Sequence, residues 1–438
     1  MPPVDEQLDR LAREASRAVR DVVDGEAAPP AGGLTARLRR RRQVRVVAGA
    51  AVVLAVVSGV LVGVTRPGSL PVPVIGQDDP SPADEGETPA DEGAAEGARE
   101  CPQSETDHLD VQVDGWEQLA PPPAPRARAG TVWVDGRLLL IGGDTEFAAT
   151  LHDDVFVYDP ATNLWTCTTP APFASNRGQT AVAERAVFLV GRRQATVFDV
   201  DTETWEQLPD PPLSGIPVVA VWTGDRLLVW GSSDRGPASR QGAAYDPDTG
   251  RWDPLAEAPA GINVGEGVWT GDELIVVGAQ QDHNNLASTD TAQAFGYDPA
   301  TDRWRRLPET GLSPQHVTAV WNGQQVIAAD EHHRAISYDP DTETWDQLDD
   351  VPVLWTGGLS STVLDDGRVL MWDGAHGALL NPTELTWTAI DTPATATHDP
   401  DDPIGISGRP TTSDGHVLFA GAAHEGHANR LWRYTPPN

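Results

Sequence analysis

One eight-residue word recurs along this chain and narrows what it can fold into. It reads YDPATNLW from Tyr158, FDVDTETW from Phe198, YDPDTGRW from Tyr245, YDPATDRW from Tyr297 and YDPDTETW from Tyr338, with a worn copy, LNPTELTW, from Leu380. Spacings of 40 to 52 residues assign one supersecondary unit to each copy. A second word precedes each of these: TVWVDGRLLLIGG from Thr131, TAVAERAVFLVGR from Thr180, AVWTGDRLLVWGS from Ala220 and GVWTGDELIVVGA from Gly267. It continues as AVWNGQQVIAAD from Ala319, TVLDDGRVLMWDG from Thr362 and TTSDGHVLFAGA from Thr411. Most of these are two short apolar strands joined at Asp-Gly, Gly-Asp or Asn-Gly, where positive φ costs least.

Each unit therefore has four strands: an inner strand a, a hairpin to b, strand c ending at Tyr-Asp-Pro, and strand d beginning near the Trp. Repeated four-stranded units of this length predict an all-β propeller. Seven a–b hairpins are matched by seven tryptophans at the start of strand d: Trp116, Trp165, Trp205, Trp252, Trp304, Trp345 and Trp387. The chain ends at YTPPN without a further Trp, while Trp116 has no Tyr-Asp-Pro ahead of it. The segment around Trp116 is thus expected to supply the outer strand of the last blade. Six blades is the alternative, if the worn unit near Leu380 is absorbed elsewhere.

The acidic word DPDTET looks like a calcium loop, but it lacks the Gly at the sixth position and the bidentate acid at the twelfth that such a loop needs. A structural reading accounts for the word without a metal: Asp339 accepts backbone N–H groups across the turn, Pro340 presets φ, Thr342 caps it and Trp345 packs between blades.

The pattern resembles Kelch repeats, the family that includes Kelch adaptor proteins, galactose-oxidase-like propellers and some sialic-acid mutarotases. The resemblance covers about residues 115–436, although only Gly142-Gly143 keeps the double glycine; other copies read Gly191-Arg192, Gly231-Ser232 or Ala329-Asp330. It implies a seven-bladed Kelch-like β-propeller. Copper-radical oxidase chemistry is not implied, because all five tyrosines, Tyr158, Tyr245, Tyr297, Tyr338 and Tyr434, sit at the repeat position and Cys167 is placed in an outer strand. Mutarotase-like chemistry would draw on Arg126, Arg128, Arg177 and Glu266, near the starts of strand a; nothing identifies a sugar.

In a four-stranded blade the a–b and c–d turns share one face and the b–c and d–a loops the other. The first face carries the repeated acidic turns. The second carries long, non-repeating loops with His152, His283, His332, His333, His376, His424 and His427, and with His398 and His316 at the same edge. Loops on a rigid scaffold are where recognition is built. The candidates there are these b–c-loop histidines together with Asp282, Asn284 and Glu425. HEGH, from His424 to His427, and QDHNN, from Gln281, are loose metal-ligand patterns without fixed helical geometry, so no metal or other cofactor is assigned.

Charge divides the chain. Residues 1–66 hold 11 Arg against 7 acidic residues, and the remainder holds 20 Arg against 58. So acidic a remainder excludes nucleic acid as a partner. There is no Lys, while Ala, Gly, Pro, Arg and Val abound, as GC-rich bacterial codons would give. Residues 46–64, VVAGAAVVLAVVSGVLVGV, are uncharged and span roughly 28 Å as a helix, the thickness of a bilayer core. Arg37, Arg39, Arg40, Arg41, Arg42 and Arg45 precede them, which places residues 1–45 in the cytoplasm. A cleaved signal peptide is the competing reading, set against the long leading segment.

Residues 4–24 show the spacing of a short amphipathic helix, which could dock a cytoplasmic regulator such as a sigma factor or lie on the inner leaflet. Residues 65–100, rich in Pro, Asp, Glu, Gly and Ala, are expected to be a disordered stalk before a propeller over 101–438. Cys101 and Cys167 are the only cysteines; outside the cell they pair most simply in one disulfide, the alternative being two free thiols. Together these features describe a single-pass membrane protein whose extracytoplasmic propeller binds a protein or a glycan. A carbohydrate-active or metal-dependent propeller enzyme, or a transmembrane sensor, are the alternatives.

Overall fold

Strand b of every unit is built on an apolar run, such as AVFLVG or LIVVGA, and a run of that kind forms a stable strand only where both faces of its sheet are covered. A ring of blades provides that cover. The computed structural model describes residues 101, 113–145, 150–175, 178–232, 238–282, 284, 286–352, 359–373, 376–393, 410–421 and 430–437. Among them are seven four-stranded antiparallel sheets.

Blade 1 has strands Gly130–Val134, Arg137–Ile141, Val155–Asp159 and Leu164–Cys167. Blade 2 has Gln179–Ala183, Ala186–Gly191, Gln194–Asp199 and Thr204–Gln207; blade 3 has Val219–Trp222, Leu227–Trp230, Gly242–Asp246 and Arg251–Pro254. Blade 4 consists of Val264–Trp269, Leu274–Ala279, Gln293–Asp298 and Arg303–Arg306, and blade 5 of Val317–Trp321, Val326–Asp330, Ala335–Asp339 and Thr344–Gln347. Blade 6 runs through Ser360–Val363, Val369–Trp372, Gly377–Asn381 and Thr386–Ile390. In blade 7, Pro410–Ser413, His416–Gly421 and Arg430–Tyr434 are completed by Trp116–Leu119, which pairs antiparallel with Arg430–Tyr434 in the register Trp116↔Tyr434 to Leu119↔Leu431. The inner strands of successive blades adjoin all the way round, blade 7 against blade 1 included.

The closing strand works on both its faces, as alternation along a strand requires. Leu119 packs with Leu138, Leu140, Tyr158 and Trp165 of blade 1, while Trp116 packs on the cluster that joins Trp372 of blade 6 to Phe419, Trp432 and Tyr434 of blade 7. A disulfide joins Cys101 to Cys167 on the outer strand of blade 1.

The recurring word is a two-part fastener. Within each blade the first residue of the pair, aromatic in all but blade 6, faces the Trp directly across strands c and d, as in Tyr158↔Trp165, Tyr338↔Trp345 and, in blade 6, Leu380↔Trp387. Between blades the indole N–H reaches back to a carbonyl just beyond the preceding blade's outer strand. Trp165 donates to Ala120 (2.8 Å), Trp205 to Thr169 (2.9 Å), Trp252 to Pro209 (2.7 Å) and Trp304 to Ala256 (2.9 Å). Trp387 donates to Asp349 (3.0 Å) and Trp116 to Asp391 (2.7 Å), so the closing strand uses the same bond as the others. Trp345 is the exception, with its indole N–H buried and unbonded. The aspartate acts as expected: the Asp339 carboxylate accepts the Asp341 N–H at 2.8 Å, and Asp159, Asp246 and Asp298 repeat the bond.

The word's sixth residue was not singled out by sequence, yet it is left-handed in each copy: Asn163, Glu203, Gly250, Asp302, Glu343 and Leu385 have φ between 52° and 67°. Only Gly adopts that region without a Cβ penalty. Glu343→Gly, at an exposed site, is therefore expected to raise stability by about 1 kcal/mol in urea unfolding; a loss would show that the Glu343–Arg305 pair outweighs the strain.

Among the described residues no helix is long and apolar enough to cross a membrane. The apolar segment 46–64, the amphipathic segment 4–24 and the stalk 65–100 lie outside the described residues.

Candidate binding face

The b–c and d–a loops do meet at one edge of the ring. In blade 1 the double glycine shows why the motif needs two. Both residues have positive φ, and a Cβ on Gly142 would come within 2.5 Å of the Ser175 carbonyl, one on Gly143 within 2.8 Å of the Ala127 carbonyl. The bare backbone lets three segments interlock: Gly143 N–H donates to Ser175 O, Ser175 N–H to His152 O, His152 N–H to Gly143 O, and Asp144 N–H to Ala127 O. Fully buried Asp144 adds an ion pair with Arg128 at 2.6 Å.

Blades 4, 5 and 6, which lack the double glycine, fasten the same loops with buried polar side chains. By strand register Asp330, and not Ala329 as the sequence alignment has it, takes the place of the first glycine in blade 5, and it is fully buried. One carboxylate oxygen accepts the N–H groups of His332 (2.9 Å) and Arg334 (3.1 Å); the other accepts Ser313 N–H (2.7 Å) and the Arg334 guanidinium (2.8 Å). One carboxylate thus ties a b–c loop to the d–a loop before it. In blade 6, buried Asp373 accepts the His376 N–H at 2.6 Å and lies 3.2 Å from its Nδ1. In blade 4, Asn263 grips the backbone of Gln281 on both sides at 2.7 Å, and the Gln281 amide donates to the carbonyls of Pro314 and Gln315 at 3.0 and 2.8 Å. Buried polar groups satisfied in this way hold a loop in one conformation.

The sequence candidates divide accordingly. His152 is partly buried with Nδ1 at 3.7 Å from Asp154; burial and the neighbouring Arg126 guanidinium hold its pKa below the ordinary histidine value, so it is neutral at pH 7. Asp282 is a turn former, its carboxylate accepting the N–H groups of Asn284 and Leu286 at 2.8 and 2.9 Å. Asn284 is exposed beside it. His332 is exposed with Nδ1 3.4 Å from Glu331, whose carboxylate is also bonded to Ser313 Oγ (2.5 Å) and His316 N–H (3.0 Å). His333 sits at the left-handed corner of the same turn, and His376 is held by Asp373. His283, His424, Glu425 and His427 lie outside the described residues, as does Arg177.

Glu331, His332 and His316 therefore come together in blade 5, but no three His, Cys, Asp or Glu among the described residues could hold a metal ion. Arg126 and Arg128 are committed to ion pairs with Asp154 and Asp144. The tyrosines are buried at the blade seams, and burial pushes the Tyr158 phenol up to about 12. Two residues of this face were missed by sequence reading. Leu151 and Leu286, in the b–c loops of blades 1 and 4, are 45% and 64% exposed. Neither belongs to a repeated word, and only Leu286 stands out as an apolar residue inside a mostly polar loop.

Residues 125–172, which span blade 1, match the Kelch motif. The chain is similar to Kelch-like protein terF of Aspergillus terreus, 31% identical over 118 residues, 22% of this chain and 25% of that protein. It is similar also to Kelch-like protein 35 of Mus musculus, 27% identical over 99 residues, 22% of this chain and 17% of that one. Kelch repeat and BTB domain-containing protein 12 of Homo sapiens is 28% identical over 92 residues, 19% and 15% of the two chains. The chain thus spans a quarter or less of these relatives' lengths. The matched motif and the seven closed blades together support a Kelch-repeat β-propeller.

Proposed function

We propose that this chain is a protein-binding propeller, held at a membrane by residues 46–64, which recognises its partner through the b–c and d–a loops. The observation that carries the reading is the way those loops are fastened. Asp330, Asp373 and Gln281 are buried where they hold backbone and Asp144 where it holds Arg128, while Leu151, Leu286 and His332 are left facing solvent. Loops fixed before contact bind without an ordering cost. Exposed leucines among polar groups suit a protein surface better than a glycan. The anchor rests on the sequence alone, on an uncharged span preceded by six arginines.

The test is a photo-crosslinker at position 286, to recover the partner, followed by the triple variant Leu151→Ser, Leu286→Ser and His332→Ala. Exposed substitutions of this kind shift stability by less than about 0.5 kcal/mol each. Melting should be nearly unchanged while affinity for the recovered partner falls at least about tenfold, the loss expected when apolar contacts leave an interface centre. Undiminished affinity would overturn the face assignment. For the anchor, protease added to intact cells should degrade the propeller and spare residues 1–45; protection of the propeller until lysis would reverse the orientation.

A further inference from the structure

The opposite face carries a feature that the loop-face reading leaves unused. At the turn end of strand a, one register position faces the first or second residue of strand b in every blade: Trp133↔Leu138, Val182↔Val187, Trp222↔Leu227, Trp269↔Leu274 and Trp321↔Val326 in blades 1 to 5. Val363 and Thr412 hold the place in blades 6 and 7. Trp222 stacks on Phe188 of the preceding blade with ring centroids 5.3 Å apart, and Trp269 and Trp321 lean on the blade interfaces before them. All four tryptophans keep part of their surface in solvent, and Val182 between them is 40% exposed. Because strand a is the innermost strand, these surfaces form an arc over five consecutive blades around the mouth of the ring.

The a–b turns that rim this mouth are acidic. Their arginines are already engaged: Arg137 with Glu203, Arg185 with Asp135 and Asp201, Arg226 with Asp246 and Asp253, and Arg368 with Asp366. Asp272, Asp365 and Asp414 are exposed on the same rim with no ion pair among the described residues. Asp272 follows Trp269 in blade 4, while Asp365, whose carboxylate accepts the Gly415 N–H at 2.7 Å, and Asp414 lie in blades 6 and 7, at the two ends of the arc. Aromatic surfaces and carboxylates without a paired cation on one rim select a cation that can stack and donate at once, which a planar guanidinium does better than an ammonium.

We infer that the turn-face mouth is a second docking surface, and that its occupant is an extended arginine-rich segment of a partner protein. Phosphate-bearing partners are repelled by the rim, and a single small cation would use only one of the tryptophans.

Binding of a fluorescein-labelled octa-arginine peptide to the purified full chain, followed by anisotropy, tests this. Asp272→Asn, Asp365→Asn and Asp414→Asn together should weaken binding about tenfold, as removal of three steering charges from one mouth implies. The loop-face control Asp153→Asn, Asp290→Asn and Glu309→Gln, which removes the same charge, should change it less than about twofold. Trp269→Leu with Trp321→Leu should cost a further factor of about ten, the size of two exposed cation–π contacts, and octa-lysine should bind more weakly than octa-arginine. Equal losses from the two charge variants, or equal affinity for the two peptides, would overturn the site. A full chain whose six arginines between 37 and 45 are replaced by Ala should bind the probe as the parent does. Binding more than tenfold tighter would mean that the chain's own arginines fill the mouth, which overturns the outside partner.

Discussion

A chain shortened to begin at Pro125 is expected to aggregate on expression or to melt far below one that begins at Cys101. The shortening removes Trp116–Leu119, and with it the outer strand of blade 7. Strand Arg430–Tyr434 becomes an open edge, a template for pairing with another chain. Two interfaces lose their apolar content together, Leu119 on blade 1 and Trp116 on blades 6 and 7. Trp116→Ala alone should cost about 3 kcal/mol, at the low end for a large aromatic because the ring is only partly buried. It also abandons the Asp391 carbonyl that its indole serves. Equal melting temperatures for the two lengths would sink the proposed closure.

Loss of the Cys101–Cys167 disulfide should have the next largest effect. The two residues are 66 apart in sequence, and the loop they close contains both the closing strand and all of blade 1. In the chain-entropy account a loop of that length stabilises by about 4 kcal/mol. The bond also ties Cys101, ahead of the closing strand in sequence, to the outer strand of blade 1, so a pull on residues 1–100 reaches blade 1 through the sulfurs before it can peel Trp116–Leu119 from blade 7. Cys101→Ser with Cys167→Ser should lower stability by roughly that amount in urea unfolding, and reducing agent should do the same to the parent chain while leaving the double variant unaffected. Unfolding midpoints that do not change would show the bridge to be incidental.

Most of the ring was legible in the sequence because its fastener is repetitive. The aspartate that closes the c–d turn, the Trp opposite the Tyr and the orphan Trp116 each follow from a word used again and again, and the structure places them where those words predict. What escaped notice lies where copies differ. The left-handed sixth residue is Asn, Glu, Gly, Asp, Glu and Leu in turn, so no residue type announces the conformation. Asp330 stands at a lost glycine, and its role appears only when Ser313 is seen to arrive from a neighbouring loop. Leu151 and Leu286 carry no periodic signal, and the arc from Trp133 to Trp321 is scattered over nearly two hundred residues until the blades bring it round one mouth. Asp282 shows the opposite case, a residue whose type suggested a ligand but whose carboxylate is occupied by its own turn.

The ring is closed by the strand Trp116–Leu119, and amide hydrogen exchange of the full chain reads that closure directly. Strand Arg430–Tyr434 is paired on one side with His416–Gly421 and on the other with Trp116–Leu119. Its amides should exchange as slowly as those of Gly242–Asp246, Gln293–Asp298 and Ala335–Asp339, which hold the same third place in blades 3 to 5. Protection there at the level of the outer strands Arg251–Pro254 and Thr344–Gln347 would mean that blade 7 has an open edge, and would contradict the closed seven-bladed ring.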